Sequence, residues 1–244
     1  MPSKKNLLLI LSPDSWDRNT EIHFKKLFDR VDSVWPPKFL RPGEQNPLPD
    51  ENSVLLFEGG TDIDPTLYGE SLGAHTQEPD KARDEWEKAY FDAAIAAGAG
   101  MIGVCRGAQL LCALSGGHII QHVTGHNGGK HLIRSFRNHV FSCTSVHHQM
   151  MNPYVLPEKE WVSLARSEFQ FCSKYRNGTN RKLKVKHLWP RWQEQEIVWF
   201  PKTKCLAIQG HPEYYANDLS EFVSFCQEMV EIYLTKPKDD SHAD

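Results

Sequence analysis

The stretch Gly103-Val104-Cys105-Arg106-Gly107 constrains this chain more than any other. The apolar residues Met101 and Ile102 lead into it, and a helix-like run, Ala108 to Leu111, leaves it. Gly-x-Cys-x-Gly at such a junction is the pattern of a strand that turns sharply into a helix with the turn residue projecting outward. Glycine two positions to either side lets the two backbones approach without a Cβ clash. A cysteine so placed sits at a helix N-terminus, where free N–H groups and the macrodipole favour a thiolate. The competing reading is a buried cysteine in an apolar strand, the ordinary state of an intracellular cysteine.

The segments around the turn predict an α/β fold. Continuous apolar runs at 6–11, 54–57 and 101–104 read as buried strands. Helical spacing at 20–29, 79–97 and 107–115 places helices between and after them, the order of a parallel sheet wrapped by helices. From residue 139 the pattern changes to short β-like runs at 140–146, 161–165, 197–200 and 205–209, then an amphipathic helix at 219–233. Residues 36–49 read as a proline-rich surface excursion and 236–244 as a polar tail. One domain over 1–235 is expected.

A formal net charge of −3 gives bulk charge no part in recruiting nucleic acid or membrane. The apolar run at 7–11 is far too short to span a bilayer. Six cysteines without close spacing, and no secretion signal at the start, point to reduced thiols in a cytoplasmic setting.

A cysteine nucleophile needs a base to take and return its proton, and a group that orients the base. Gly210-His211-Pro212-Glu213, directly after the run at 205–209, supplies both. The His-x-Glu spacing lets the carboxylate reach the far nitrogen of the imidazole. Gly59-Gly60, at the end of the run at 54–57, either exposes backbone N–H groups to a ligand or makes an ordinary tight turn.

With these segments the chain resembles the class I glutamine amidotransferase superfamily, and within it the gamma-glutamyl hydrolase and gamma-glutamyl-GABA hydrolase branch. The matching residues are Gly59 to Pro65 with Tyr68-Gly69-Glu70, Arg83-Asp84 with Glu87, and Val104 to Gln109. Gly116-Gly117 with Gln121, Ser145 to Gln149, and Gln209 to Glu213 complete the set. The resemblance implies a flavodoxin-like, mostly parallel sheet with helices on both faces and an added β-rich corner. It implies Cys105 as nucleophile, His211 as acid and base, and Glu213 as its orienting partner. The oxyanion hole would be the backbone N–H groups of Gly60 and Arg106. Gln109, Ser145, His147 and His148 would hold the glutamyl head of a small-molecule γ-glutamyl substrate. No metal or organic cofactor is required by this chemistry.

Some residues depart from the family's pattern. Glu58 stands where proline is usual, and Gly210 where an aromatic is usual. Residues 171–193 hold seven Lys/Arg and no acidic residue. That segment reads either as a solvated basic hairpin with Asn177-Gly178 at its tip, or as a docking surface for a synthetase partner or a nucleic acid. His118, His122 and His126 recur at four-residue spacing, a metal-ligand pattern only if one helix carries all three. Gly116-Gly117, Gly125 and Gly128-Gly129 argue against that helix, so no metal is expected there. Three functions therefore stand: a free γ-glutamyl amide hydrolase, a glutaminase subunit feeding ammonia to a separate synthetase, and a non-catalytic module on the same fold.

Overall fold

Strand β3 (Ser53–Phe57) has every side chain buried, with no polar alternation, which is how a strand reads when both faces of its sheet are covered. Val54 and Leu56 pack on one face of the sheet, Leu55 and Phe57 on the other. The structure, a computed structural model, describes residues 5–10, 24–30, 33–172, 174–176, 193–214 and 217–235.

Strands β1 (Lys5–Ile10), β2 (Ser33–Leu40), β3, β4 (Gly100–Val104) and β13 (Cys205–Ile208) form the parallel half of a nine-stranded sheet, in the order β2-β1-β3-β4-β13. Beyond β13 the sheet continues antiparallel through β12 (Gln195–Phe200), β10 (Val162–Ser167), β7 (Gly129–Ser135) and β8 (Val140–Ser145). Helices cover both faces. Helix α3 (Ser220–Val230) packs Phe222, Cys226 and Met229 against Val54, Ile102 and Leu206, with Phe24 and Leu27 of a short helical turn beside them. Helix α1 (Lys81–Ala97) and helix α2 (Arg106–Leu114) lie on the opposite face with Leu55, Phe57 and Met101. The β-rich corner consists of two small two-stranded sheets. One pairs β5 (His118–Ile120) with β9 (Met150–Asn152), the other β6 (His122–Val123) with β11 (Tyr175–Arg176).

Local chemistry sets the ends of α1. The Asp80 side chain accepts from the Arg83 N–H at 3.0 Å, and Gly98, in the left-handed region at φ 70°, returns its N–H to Ala94 and Ile95.

Two sequence expectations change. Residues 36–40 are not a surface excursion: Pro36 and Pro37 lie inside β2. Proline is tolerated there because β2 is an edge strand and its register against β1 shifts between Val34 and Lys38, where ladder bonds are already interrupted. The glycine-rich stretch after residue 116 carries three strands, β5, β6 and β7, that period-two alternation did not announce. Most of the basic segment (173 and 177–192) and the tail at 236–244 lie outside the described residues. No helix among the described residues is long and apolar enough to cross a membrane.

Candidate active site

Cys105 is the junction between β4 and α2, and its backbone sits at φ 52°, ψ −108°. Positive φ in a residue with a Cβ costs about 1–3 kcal/mol and persists only where the surroundings impose it. Here they do. The Cys105 N–H donates to the Ile208 carbonyl at 2.9 Å, and Gly103 and Gly107 let the incoming strand and outgoing helix touch. A Cβ at 103 would run into the Gly107 carbonyl, and one at 107 into the Phe57 carbonyl, both well inside van der Waals contact. Gly107→Ala should therefore destabilise the fold by about 3 kcal/mol or more through overpacking against backbone that cannot yield. A urea midpoint within error of the wild type would contradict this packing.

His211 reaches the same place from the neighbouring strand. Strand β13 pairs with β4 in register Ile208 to Val104, so the loops leaving the two strands run side by side. The His211 N–H donates to Thr144 Oγ1 at 2.5 Å, and its Nδ1 lies 2.6 Å from Glu213 Oε1. Nε2 is thereby left for the Cys105 side chain, whose presence favours a charged ring. The Tyr214 ring stacks on the imidazole at 4.4 Å and 4°. A Cβ at Gly210 would lie 3.0 Å from both Phe222 Cζ and Thr144 Oγ1, which accounts for glycine at this position.

Burial works against a charge on His211, but the influence of Cys105 and the bond to Glu213 outweigh it, and its pKa is pushed up to about 11. The imidazolium is then the resting form across the neutral range. Histidine NMR of the resting protein should show one ring still protonated above pH 9. In Glu213→Gln that titration should fall, with the influence of Cys105 still holding it above the ordinary histidine value. No histidine titrating above pH 8 in the wild type would refute the arrangement.

The loop at 58–62 closes over this pair. A Cβ at Gly59 would stand 3.2 Å from His211 Cε1 and 3.7 Å from Cys105 Cβ, so only glycine lets the loop come this near. Arg83 holds the loop, donating to the Gly59 carbonyl at 3.1 Å. Arg83 is in turn paired with Glu87 at 2.8 Å, and the fully buried Arg106 guanidinium bridges Glu87 and Asp84. Asp84 also accepts from the Asp64 N–H at 2.8 Å. One buried charge network thus ties α1 and α2 to the loop at 58–64. The N–H groups of Gly60 and Arg106 belong to the two segments that flank the sulfur.

The remaining candidates divide. Gln109, one turn after Cys105, donates to the Gln149 carbonyl at 3.2 Å and is 3.5 Å from Gln209 Oε1. His148 is half-buried and 3.1 Å from Asp62 in the closing loop; the bond to Asp62 raises its pKa against the effect of burial. Ser145 and His147 are turned to another neighbour. Ser145 Oγ donates to the His126 carbonyl at 2.9 Å, and the His147 ring lies 4.8 Å from that of His126. Burial depresses the His147 pKa to about 3, so it is a neutral, interior ring. His118 and His122 fall on β5 and β6, and the helix that would have joined them to His126 does not exist. Two contributors went unassigned in the sequence: Thr144, which holds the His211 backbone, and Arg83, which holds the loop. Arg83, Asp84 and Glu87 show a charged i, i+1, i+4 spacing that looks like a solvated helix face; only their burial reveals the network.

Residues 50–213 match the family model Peptidase C26. Over 96 residues the chain is 35% identical to Rv2859c of Mycobacterium tuberculosis, whose name places it with the glutamine amidotransferases; the match covers 38% of this chain and 31% of that protein. Over 70 residues it is 40% identical to the glutamine amidotransferase-like protein YvdE of Lactococcus lactis, covering 29% and 30%. The chain thus spans about a third of the length of these curated relatives. A glutamine amidotransferase structure from Thermotoga maritima shares the fold with a TM-score of 0.56 at 13% identity, over 94% of this chain and 85% of that one. A structure from Thermoplasma acidophilum, named for one of the subunits of GMP synthase, does so with a TM-score of 0.53 at 13% identity, over 95% and 98%. With the family model spanning two-thirds of its length, this chain belongs to the peptidase C26 family of class I glutamine amidotransferase-type hydrolases.

Proposed function

We propose that the chain hydrolyses a γ-glutamyl amide bond, with Cys105, His211 and Glu213 as its catalytic residues. The observation that supports this most is the Glu213–His211 bond set beside Cys105 at the ends of two adjacent parallel strands, with the cysteine held at positive φ. The Cys105 sulfur attacks the γ-carbonyl carbon, and the electron pair of the C=O bond moves to oxygen. The N–H groups of Gly60 and Arg106 stabilise that oxyanion; losing one such donor typically lowers turnover about 10²–10³-fold. His211 gives its proton to the departing amine as the C–N bond breaks, leaving a glutamyl thioester. It then takes a proton from water, which attacks the thioester, releases glutamate and returns the sulfur. Glu213 holds the imidazole in orientation through both steps. Gln109 and His148 are assigned to hold the glutamyl head.

The leaving group separates two versions. A free-standing hydrolase would accept a γ-glutamyl amine. The fold neighbour named for GMP synthase favours a second version, in which glutamine is the substrate and a synthetase partner takes the ammonia. Mass spectrometry of a panel of γ-glutamyl amides and free glutamine, with and without co-purifying proteins, decides between them. Glutamate release from γ-glutamyl amines by the chain alone is the expected result. Glutaminase activity seen only with a partner would install the second version. Absence of any turnover, together with failure of a glutamine-like electrophile to label Cys105, would overturn both.

A further inference from the structure

Next to the catalytic loop, and separate from it, lies a cluster of buried acid and base groups that the proposed chemistry does not use. His126 stands in the loop between β6 and β7, His131 on β7, and Glu194 and Glu196 at the start of β12; all are at most 6% exposed. His131 Nε2 is 3.0 Å and His126 Nδ1 3.8 Å from the same atom, Glu196 Oε1, and one donor atom from each of the three residues falls within 4.8 Å of the other two. Three ligands bonded at about 2.0–2.2 Å around a tetrahedral ion stand about 3.3 Å apart, so the separations of the two rings from Glu196 bracket a coordination edge, and the widest gap in the group closes only as the side chains draw in on an ion. Among the described residues this is the only such grouping.

Two further observations point to a ligand. Glu196 Oε2 is fully buried and has no hydrogen-bond partner, a state that costs a carboxylate oxygen dearly unless a cation meets it. On the far side of its ring, His126 Nε2 lies 3.1 Å from Glu194 Oε2. Glu194 is itself anchored, accepting from the N–H groups of Phe171 and Cys172 and from the Tyr175 hydroxyl. A carboxylate behind a histidine is the arrangement that fixes a metal-ligating ring in its tautomer and raises its basicity.

We infer that His126, His131 and Glu196 form a structural site for a divalent transition-metal ion, zinc by preference, with Glu194 as the carboxylate behind His126. Two imidazoles and one carboxylate suit zinc in both ligand type and number. Cys143 Sγ, 3.4 Å from His131 Nε2, and Ser145 Oγ, 3.2 Å from His126 Nδ1, border the same group of atoms. A dication also balances the two buried carboxylates while both rings stay neutral. The ion would join the loop after β6, strand β7 and strand β12. Strand β12 supports the catalytic loop directly, because the Glu196 carbonyl accepts from the Gln209 N–H at 2.8 Å, two residues before His211. The role is therefore positional, and no atom of the site takes part in acyl transfer.

The test uses the full chain, stripped with a chelator and titrated with Zn²⁺, and with Co²⁺ as a spectroscopic probe. It is run on the wild type and on Cys105→Ala, so that metal on the nucleophile is told apart. Expected are one ion per chain by elemental analysis, a higher melting temperature in Zn²⁺, and the visible absorption of low-coordinate Co²⁺ in both proteins. His131→Gln and Glu196→Gln should abolish that absorption. Glu194→Gln, which leaves the three ligands in place, should weaken binding about 10–100-fold. If the stripped wild type neither binds Zn²⁺ nor shows Co²⁺ absorption, the cluster is a metal-free ion network and the inference fails. It fails equally if the absorption survives in folded His131→Gln and Glu196→Gln, because the ion then sits elsewhere.

Discussion

Cys105→Ala should lower hydrolysis by about 10⁴-fold or more while the unfolding midpoint stays within error of the wild type. The size follows from removing the atom that would form the proposed thioester; in acyl-transfer enzymes, loss of the nucleophile removes nearly the whole contribution of the catalytic group. Unchanged stability follows from the backbone. Alanine keeps a Cβ at φ 52°, so the strained turn is neither relieved nor worsened. Cys105→Gly sharpens the test, because glycine adopts that φ freely. It should be as inactive as the alanine variant and more stable by about 1 kcal/mol, the lower end of what such strain costs. Steady-state kinetics and urea unfolding on the three proteins check both halves. Residual turnover above about one-hundredth of wild type in either variant would remove Cys105 from the mechanism.

Arg106→Leu should be the most destabilising single change at the site, by about 3–5 kcal/mol. The guanidinium is among the largest fully buried side chains and bridges Asp84 and Glu87, both also buried. Burial raises the Asp84 pKa, and Arg106 is the chief influence opposing it. Leucine fills much of the volume but leaves the buried Asp84 without its cation and Glu87 with Arg83 alone, the circumstance in which a buried pair is most expensive to break. Arg106→Lys should recover part of the loss, since one ammonium cannot reach both carboxylates with the geometry of a planar fork. Urea denaturation with a constant m-value measures it. A loss under about 1 kcal/mol for the leucine variant would mean that α1 is not held to the elbow through these charges.

The elbow was legible in the sequence because steric demand there is local: residues 103, 105 and 107 must be small, strained and small wherever a strand meets a helix this closely. His211 and Glu213 were legible for a similar reason, being two residues apart and directly after an apolar strand. Side-chain direction at 145–148 was not. Ser145 and His147 read as substrate contacts beside His148, yet strand alternation sends them to His126 while Thr144 faces His211. Strands β5 and β6, only three and two residues long, were hidden because so few positions establish no period. Strand β2 was hidden by its prolines, since the usual inference from proline assumes an interior strand.

Those prolines carry a consequence of their own. The outermost strand of an open sheet offers a ladder of free donors and acceptors to any second chain. Successive N–H groups of a strand point to opposite sides, so the Pro36-Pro37 pair takes one donor from the open margin, and the slip in register beside it bends whatever template is left. A second molecule meeting this margin finds its ladder interrupted, so the fold carries its own guard against fibrous self-assembly along the β2 edge.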